Sequence, residues 1–213
     1  MTAKPVLNRA QFHTSAAQWP DLPRSRAEVA FAGRSNAGKS SAINLLTRQN
    51  RLAFTSKTPG RTQLINFFGL DGETFLVDLP GYGYAKVPPE IRARWEDLLS
   101  RYLQMREPLV GMVLIMDARH PLTPLDQRML DWFLPTGKPV HILLSKADKL
   151  SGNARALTLR QLKQTLAGHP GVTVQLFSSL SRLGLEEAGA KIEEWLAAEP
   201  RSECEPVAAG ETR

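Results

Sequence analysis

The sequence predicts an α/β fold built on a mainly parallel sheet, and three observations carry that prediction. Gly33 to Ser40 reads GRSNAGKS, which fits G-x-x-x-x-G-K-[ST], the phosphate-binding loop that joins a strand to a helix. Strand-like apolar runs alternate with helix-like periodic segments along most of the chain, as successive βα units require. Asp71-Gly72 lies between two strand-like runs and is a tight hairpin signal.

Each element has its own justification. Residues 1–26 are mixed: Phe12 and Trp19 are apolar anchors, Pro20 and Pro23 break any helix, and an extension packed on the domain and followed by a loop is expected. Glu28 to Ala32 reads as a buried strand and Ser41 to Leu46 as a helix, flanking the phosphate loop as its mechanics demand. Gln63 to Leu70 and Thr74 to Asp78 are the two hairpin strands. Pro88-Pro89-Glu90 opens a helix whose apolar positions Ile91, Trp95, Leu98, Leu99, Tyr102 and Leu103 keep helical spacing. Val110 to Met116 is a fully apolar strand. Thr123-Pro124 caps a helix with Leu125, Met129, Leu130 and Phe133 inward. Val140 to Leu144 is a strand, Leu159, Leu162 and Leu166 mark a helix, and Val172 to Phe177 is the last strand. Leu185, Ala188, Ile192, Trp195 and Leu196 form one face of the final helix. The globular domain is therefore 27–197, and residues 198–213, rich in Pro, Glu and small residues, form a tail expected to be disordered.

Composition narrows the setting. The chain has 213 residues and 42% apolar content, enough for one core. Its longest apolar stretch, Val110 to Met116, falls far short of the roughly 20 residues of a membrane helix. The start lacks a signal peptide's apolar segment, and Cys204 is the only cysteine, so no internal disulfide forms and a cytoplasmic, membrane-free protein is expected. A net charge of +6 and a pI near 9.7 draw the protein towards polyanions, although no dense Lys/Arg run marks a binding tail.

The chemistry of the phosphate loop explains its residue types. Gly33 and Gly38 let the backbone of Arg34, Ser35, Asn36 and Ala37 curl so that N–H groups point inward at an anion. The helix beginning near Lys39 adds its positive end, Lys39 adds a point charge for the outer phosphates, and Ser40 offers a hydroxyl to Mg²⁺. Four further stretches refine the ligand. DLPG, Asp78-Leu79-Pro80-Gly81, ends a strand; Asp78 can hold the Mg²⁺ shell through water and the Gly81 N–H can meet a γ-phosphate. SKAD, Ser145-Lys146-Ala147-Asp148, ends another; Asp148 can accept both guanine donors, N1–H and N2–H₂, a pair that adenine lacks, while the Lys146 stem can lie along the base. Backbone donors in FSSL, which holds Ser178, Ser179 and Leu180, can meet guanine O6. SKTPGRTQ lies in a long loop with Thr55, Thr58 and Thr62; any one of these hydroxyls can complete the Mg²⁺ shell, and chemistry alone does not choose among them.

GRSNAGKSS, SKTPGRTQLINFF, DLPGYGYA and SKAD occur in this order, and together they resemble the EngB/YihA/YsxC family of bacterial GTPases within the Era-like, phosphate-loop superfamily. The likeness runs from about Phe12 to Leu196. It implies a three-layer Ras-like fold with a six-stranded sheet, one strand antiparallel. It implies a monomeric GTPase converting GTP to GDP and phosphate, with a role in late assembly of the large ribosomal subunit and its rRNA, needed for normal division and septation. It carries Mg²⁺ ligation onto Ser40 and Thr62, nucleotide contacts onto Gly60, Arg61, Thr62, Gln63 and Leu64, and catalytic roles onto Lys39, Thr62 and Gly81. Members more often have Thr or Asn at the place of Ser145. A kinase reading fails on Asp148; a signalling GTPase acting on division proteins without ribosome contact is the alternative, which the basic balance disfavours.

Tyr82 stands where Ras-like GTPases carry the glutamine that orients water, so intrinsic hydrolysis is expected to be slow. Asn36 matches the asparagine of potassium-stimulated relatives and suggests a K⁺ ligand. GTP would hold the Thr62 and Gly81 loops and hydrolysis release them. Tyr82, Tyr84 and Lys86 ride on the second loop, where they suit stacking on unpaired bases or packing on the neighbouring helix.

Overall fold

The computed structural model describes residues 6–53, 64–83 and 89–198, with side chains of the helix that begins at Pro89 described from Trp95 onward. Among these residues seven strands form one sheet: β1 (Gln11–Ala16), β2 (Ala27–Gly33), β3 (Ile65–Gly69), β4 (Thr74–Asp78), β5 (Leu109–Asp117), β6 (Val140–Ser145) and β7 (Val172–Leu176), in the order β1-β3-β4-β2-β5-β6-β7. Only β3 runs against its neighbours; it pairs antiparallel with both β1 and β4, and the remaining pairs are parallel. The Asp71-Gly72 hairpin is present, with Gly72 at φ 59° and the Leu70 N–H donating to the Thr74 carbonyl at 2.9 Å.

The expectation of six strands is corrected to seven. The extra one, β1, comes from the segment read as an extension and loop. It pairs from Gln11 opposite Gly69 to Ala16 opposite Ile65, with an irregularity between Phe12 and Thr14. Of its residues only Ala16 is buried and Phe12 stays 60% exposed. An edge strand held by backbone bonds, one small apolar anchor, the Ser15 hydroxyl on Asn66 and ring contacts of Phe12 and His13 shows no regular two-residue burial, so it leaves no periodic mark.

Period two governs the interior strands. In β2, Ala30 and Ala32 face one apolar layer while Val29 and Phe31 face the other. In β5, Met112, Leu114 and Met116 divide from Val113 and Ile115 in the same way. The first layer is closed by α2 (Pro89–Met105), α3 (Pro124–Phe133) and α4 (Gly152–Thr165), through Leu99, Tyr102, Leu130, Phe133 and Leu162. The second is closed by α1 (Lys39–Leu46) and α5 (Leu185–Ala197), through Ile43, Leu46, Ile192 and Trp195. Among the described residues no helix is long and apolar enough to cross a membrane.

One charge is buried at the amino-terminal end of β2. Glu28 is fully buried and accepts from the Arg106 guanidinium at 2.6 to 3.2 Å and from the Tyr102 hydroxyl at 2.6 Å. Arg106 also donates to the Pro23 carbonyl at 2.6 Å, which ties the entry loop to the end of α2. Removing one member leaves an uncompensated charge in the core. Arg106→Ala should therefore cost about 3 kcal/mol and lower Tm by about 10 °C. The five steps from Glu28 to Gly33 put about 16 Å of strand between this cluster and the phosphate loop, so nucleotide affinity should hold; thermal melting and nucleotide titration of the one variant check both halves.

Candidate functional site

The carboxyl ends of β2, β4, β5, β6 and β7 point the same way, and the chain builds β3 and β4 on one side of β2 before it crosses to β5 on the other. Loops that open from such a switch point are where ligands bind in parallel sheets. The loops after Gly33, Asp78, Asp117, Ser145 and Leu176 meet there.

The phosphate loop is shaped by two glycines. A Cβ on Gly33 would lie 2.8 Å from the Ile115 carbonyl oxygen, so only glycine lets β2 pass β5 this closely. Gly38 has φ 103°, a left-handed backbone that side chains resist, and directly precedes α1. Asn36 takes φ 63°, which asparagine tolerates, and is exposed at the turn. Lys39 and Ser40 open α1; the Lys39 ammonium bonds the Asp78 carboxylate, and Ser40 is 9% exposed. Ser40 and Asp78 bring a hydroxyl and a carboxylate to the same end of the sheet. These are hard oxygen donors of the kind Mg²⁺ takes, so the residues present fit that ion. The Ser35 hydroxyl is buried without a hydrogen-bond partner among the described residues.

The second loop lies against the first. Leu79 and Pro80 are buried, and a Cβ on Gly81 would sit 3.4 Å from the Ser35 nitrogen. The Ser35 N–H donates to the Tyr82 carbonyl at 2.9 Å, and the Tyr82 N–H reaches the Gly33 carbonyl at 3.4 Å. The Tyr82 side chain turns away from the loops and is only 5% exposed. Its hydroxyl donates to Asp126 at 2.8 Å. Asp126 also accepts from the Thr123 N–H and hydroxyl at 3.0 and 2.7 Å and pairs with Arg34 at 3.8 Å. Burial, then the Asp126 charge, pushes the Tyr82 phenol well above its ordinary pKa, so it stays a donor. This corrects one half of an open choice: Tyr82 packs on α3 and is not presented for stacking on bases. Tyr84 and Lys86 lie outside the described residues, as do Gly60, Arg61, Thr62 and Gln63. Leu64 is half-buried at the entrance to β3.

The loop expected to recognise the base follows β6. Ser145 is buried, and its hydroxyl bonds the Ala37 carbonyl and lies 3.0 Å from the Met116 carbonyl. Lys146, at φ 56°, extends back so that its ammonium donates to the Asn36 carbonyl at 2.6 Å and to Asp117 at 3.0 Å. These two side chains join the phosphate loop to the base loop. Asp148 sits on a short turn after buried Ala147, and its Oδ1 accepts from the Ser178 hydroxyl at 2.6 Å. That bond, outweighing the desolvation that opposes it, holds the Asp148 carboxyl below its usual range, so it is an acceptor at neutral pH. The Ser178 oxygen in turn accepts from the Leu180 and Ser181 N–H groups at 3.2 and 3.1 Å. The Ser178 N–H is used by Leu183, which leaves the Ser179 N–H as the free donor of that stretch among the described residues; Leu180 is 78% exposed.

Sequence reasoning missed Asp117, Asp126 and the side-chain role of Ser178. Asp117 takes a two-point contact from Arg119 at 2.9 and 2.7 Å and the Lys146 ammonium, and Arg119 foremost drives its carboxyl far below the ordinary range. Its position at the end of an apolar strand was a usable signal. Asp126 was hidden as an ordinary residue in the first turn of a helix.

Comparisons with known proteins agree with this geometry. Residues 28–146 match the family described as 50S ribosome-binding GTPase. The chain is 79% identical over 199 residues, 93% of its length and 97% of the relative's, to a Thiobacillus denitrificans protein named as a probable GTP-binding protein EngB. A protein of the same name from Aromatoleum aromaticum is 59% identical over 90% of both chains. Among solved structures, a probable GTP-binding protein engB aligns with a TM-score of 0.64 and 23% identity, over 80% of this chain and 98% of that one. Era in complex with MgGDPNP and a 16S rRNA fragment aligns with 0.61 and 24%, over 87% of this chain and 60% of that one; these two likenesses speak to the fold.

The Asp148 carboxylate gives a direct test. Asp148→Asn exchanges one acceptor for a donor, which opposes guanine N2–H₂ and suits the C2 carbonyl of xanthine. GTP affinity should fall by about 100-fold or more while the xanthine nucleotide gains. Fluorescent-nucleotide titration reads both, and unchanged guanine preference would remove Asp148 from the base site.

Proposed function

This chain belongs to the 50S ribosome-binding GTPase family, as a GTP-binding protein of the EngB group, and we propose that it is a nucleotide-controlled switch in late assembly of the large ribosomal subunit. The observation that carries the proposal is the family match itself. It spans residues 28–146, the stretch that holds the phosphate loop, the second loop and the start of the base loop. The basic charge, +6 overall, suits an RNA-rich partner. Defects in division and septation would then follow from a shortage of subunits.

In this reading the phosphate-loop N–H groups and Lys39 receive the β- and γ-phosphates, and Asp148 with the Ser179 N–H receives guanine. Ser40 and Asp78, together with Thr62, would hold Mg²⁺. When bound, that ion would offset the negative charge of the phosphates. Lys39 has two partners to choose between, the Asp78 carboxylate that it bonds here and the phosphates. Engaging a nucleotide therefore redistributes charge between the two loops. Gly81 would offer its N–H to the γ-phosphate, and its contact with Ser35 makes the second loop sensitive to any shift of the first.

Slow intrinsic hydrolysis follows from Tyr82. Its phenol is committed to Asp126 and buried on α3, so it neither orients water nor reaches the phosphates. Water positioning is left to a partner or to a monovalent cation, for which the exposed Asn36 side chain is the proposed ligand.

Two measurements bear on this. Co-sedimentation with large ribosomal subunits should succeed with a non-hydrolysable GTP analogue, fail with GDP and weaken with salt. Absence of binding in either state, with nucleotide binding verified, would overturn the assembly role. In a hydrolysis assay Tyr82→Gln should stay within about twofold of the parent, because the position faces α3; a gain of about tenfold or more would show that it does reach the reacting water. The same assay run in KCl and in NaCl should favour potassium, and equal rates would discard Asn36 as a cation ligand.

A further inference from the structure

From Lys149 to Leu185 the chain contains no Asp or Glu, although Lys149, Arg155, Arg160, Lys163 and Arg182 all fall within it. This stretch is one structural unit: the end of the base loop, α4, and the edge strand β7 with the loop that follows it. The α4 helix covers β7, the last strand of the sheet, and its outer side meets solvent. Arg155 is drawn inward, its guanidinium donating to the Ala147 and Leu150 carbonyls at 2.7 and 3.0 Å. Arg160 and Lys163 are exposed and stand three residues apart on one helical face, with Asn153, Leu157 and Gln164 beside them.

The pairing of charges sets this face apart. Elsewhere on the surface Arg9 meets Asp71, Arg48 approaches Glu186, Arg128 meets Glu96 and Lys191 meets Glu194. Arg160, Lys163 and Arg182 make no ion pair among the described residues, and α4 itself offers no carboxylate to make one. A patch of unneutralised cations mixed with amides and one exposed leucine has the chemistry that phosphates and ribose hydroxyls accept. An acidic protein partner would more commonly be met by a surface carrying both signs, which sets register as well as attraction.

We infer that the outer face of α4, centred on Arg160 and Lys163, is the surface that docks the RNA backbone of the large subunit; this rests on the assembly role proposed above. The face contains no residue of the two loops that border the γ-phosphate. It therefore adds affinity in the GTP and GDP forms alike, while those loops supply the preference between them.

The test compares three full-length proteins: the parent, Arg160→Glu/Lys163→Glu, and Arg24→Glu/Lys191→Glu, which makes the same change in net charge at exposed Arg24 and half-buried Lys191, both near carboxylates. Melting curves and nucleotide titration establish that all three fold and bind GTP equally. Binding to purified large subunits is then measured over a salt series in both nucleotide states. The α4 variant should bind about tenfold or more weakly in each state, with the GTP-to-GDP ratio preserved and the salt slope shallower by about two, one for each phosphate no longer neutralised. If the α4 variant binds as the control does, the inference is overturned and the face is reassigned to an acidic protein. If it changes the GTP-to-GDP ratio instead, the nucleotide-blind role is overturned. If the parent itself binds subunits in neither state, the assembly role fails and the inference fails with it.

Discussion

The structure depends on the parallel pairing of β4, β2 and β5. A parallel ladder cannot be closed by a tight turn, so each strand must be followed by a crossover that returns over a face of the sheet. Those crossovers supply the helices that cover both apolar layers, and they leave every functional loop at one end. The closest point of the arrangement is Gly33, whose hydrogen takes the place of a Cβ that would strike the Ile115 carbonyl. The loop that begins there starts from a fixed backbone position.

Onto this frame the polar side chains tie the loops to one another. Ser145 and Lys146 both end on carbonyls of the phosphate loop, at Ala37 and Asn36. Serine suits the first contact because a short hydroxyl reaches the Ala37 carbonyl from a strand that is already close. The departure from the more usual Thr or Asn at this place therefore keeps a structural bond. Three residues further on, Asp148, the proposed guanine acceptor, is held by Ser178. The two halves of a nucleotide would thus be read by loops that are hydrogen-bonded into one piece.

What the sequence made legible is what local spacing encodes. The phosphate loop, the hairpin, the buried strands and the amphipathic helices each carry their signal within about ten residues, and each is recognisable. The pairings that escaped join distant positions: Ser178 to Asp148 across 30 residues, Tyr82 to Asp126 across 44 and Tyr102 to Glu28 across 74. An aspartate in a helix's first turn looks the same whether it caps that helix or also receives a tyrosine from another loop. Strand β1 escaped for a different reason. Its sequence QFHTSA is mostly exposed, and it is held by pairing with β3, by the Ser15 hydroxyl on Asn66 and by Phe12 and His13 against Phe68 and Phe75, partners more than fifty residues away that local spacing does not encode.

The two ends of β2 carry different freedoms to change. The Glu28, Arg106 and Tyr102 cluster serves only the folded state, and a buried ionic cluster of this kind can be exchanged as a set for apolar residues of matching volume without loss of stability. The loop end has no such latitude, because Lys39 and Asp78 would serve the chain's own charge balance and a bound triphosphate in turn. In divergent descendants of this molecule Glu28, Tyr102 and Arg106 should therefore drift together, while the loop that leaves the other end of β2 stands still. A comparison of lineages would see that strand as a gradient, from replaceable to fixed, within seven residues.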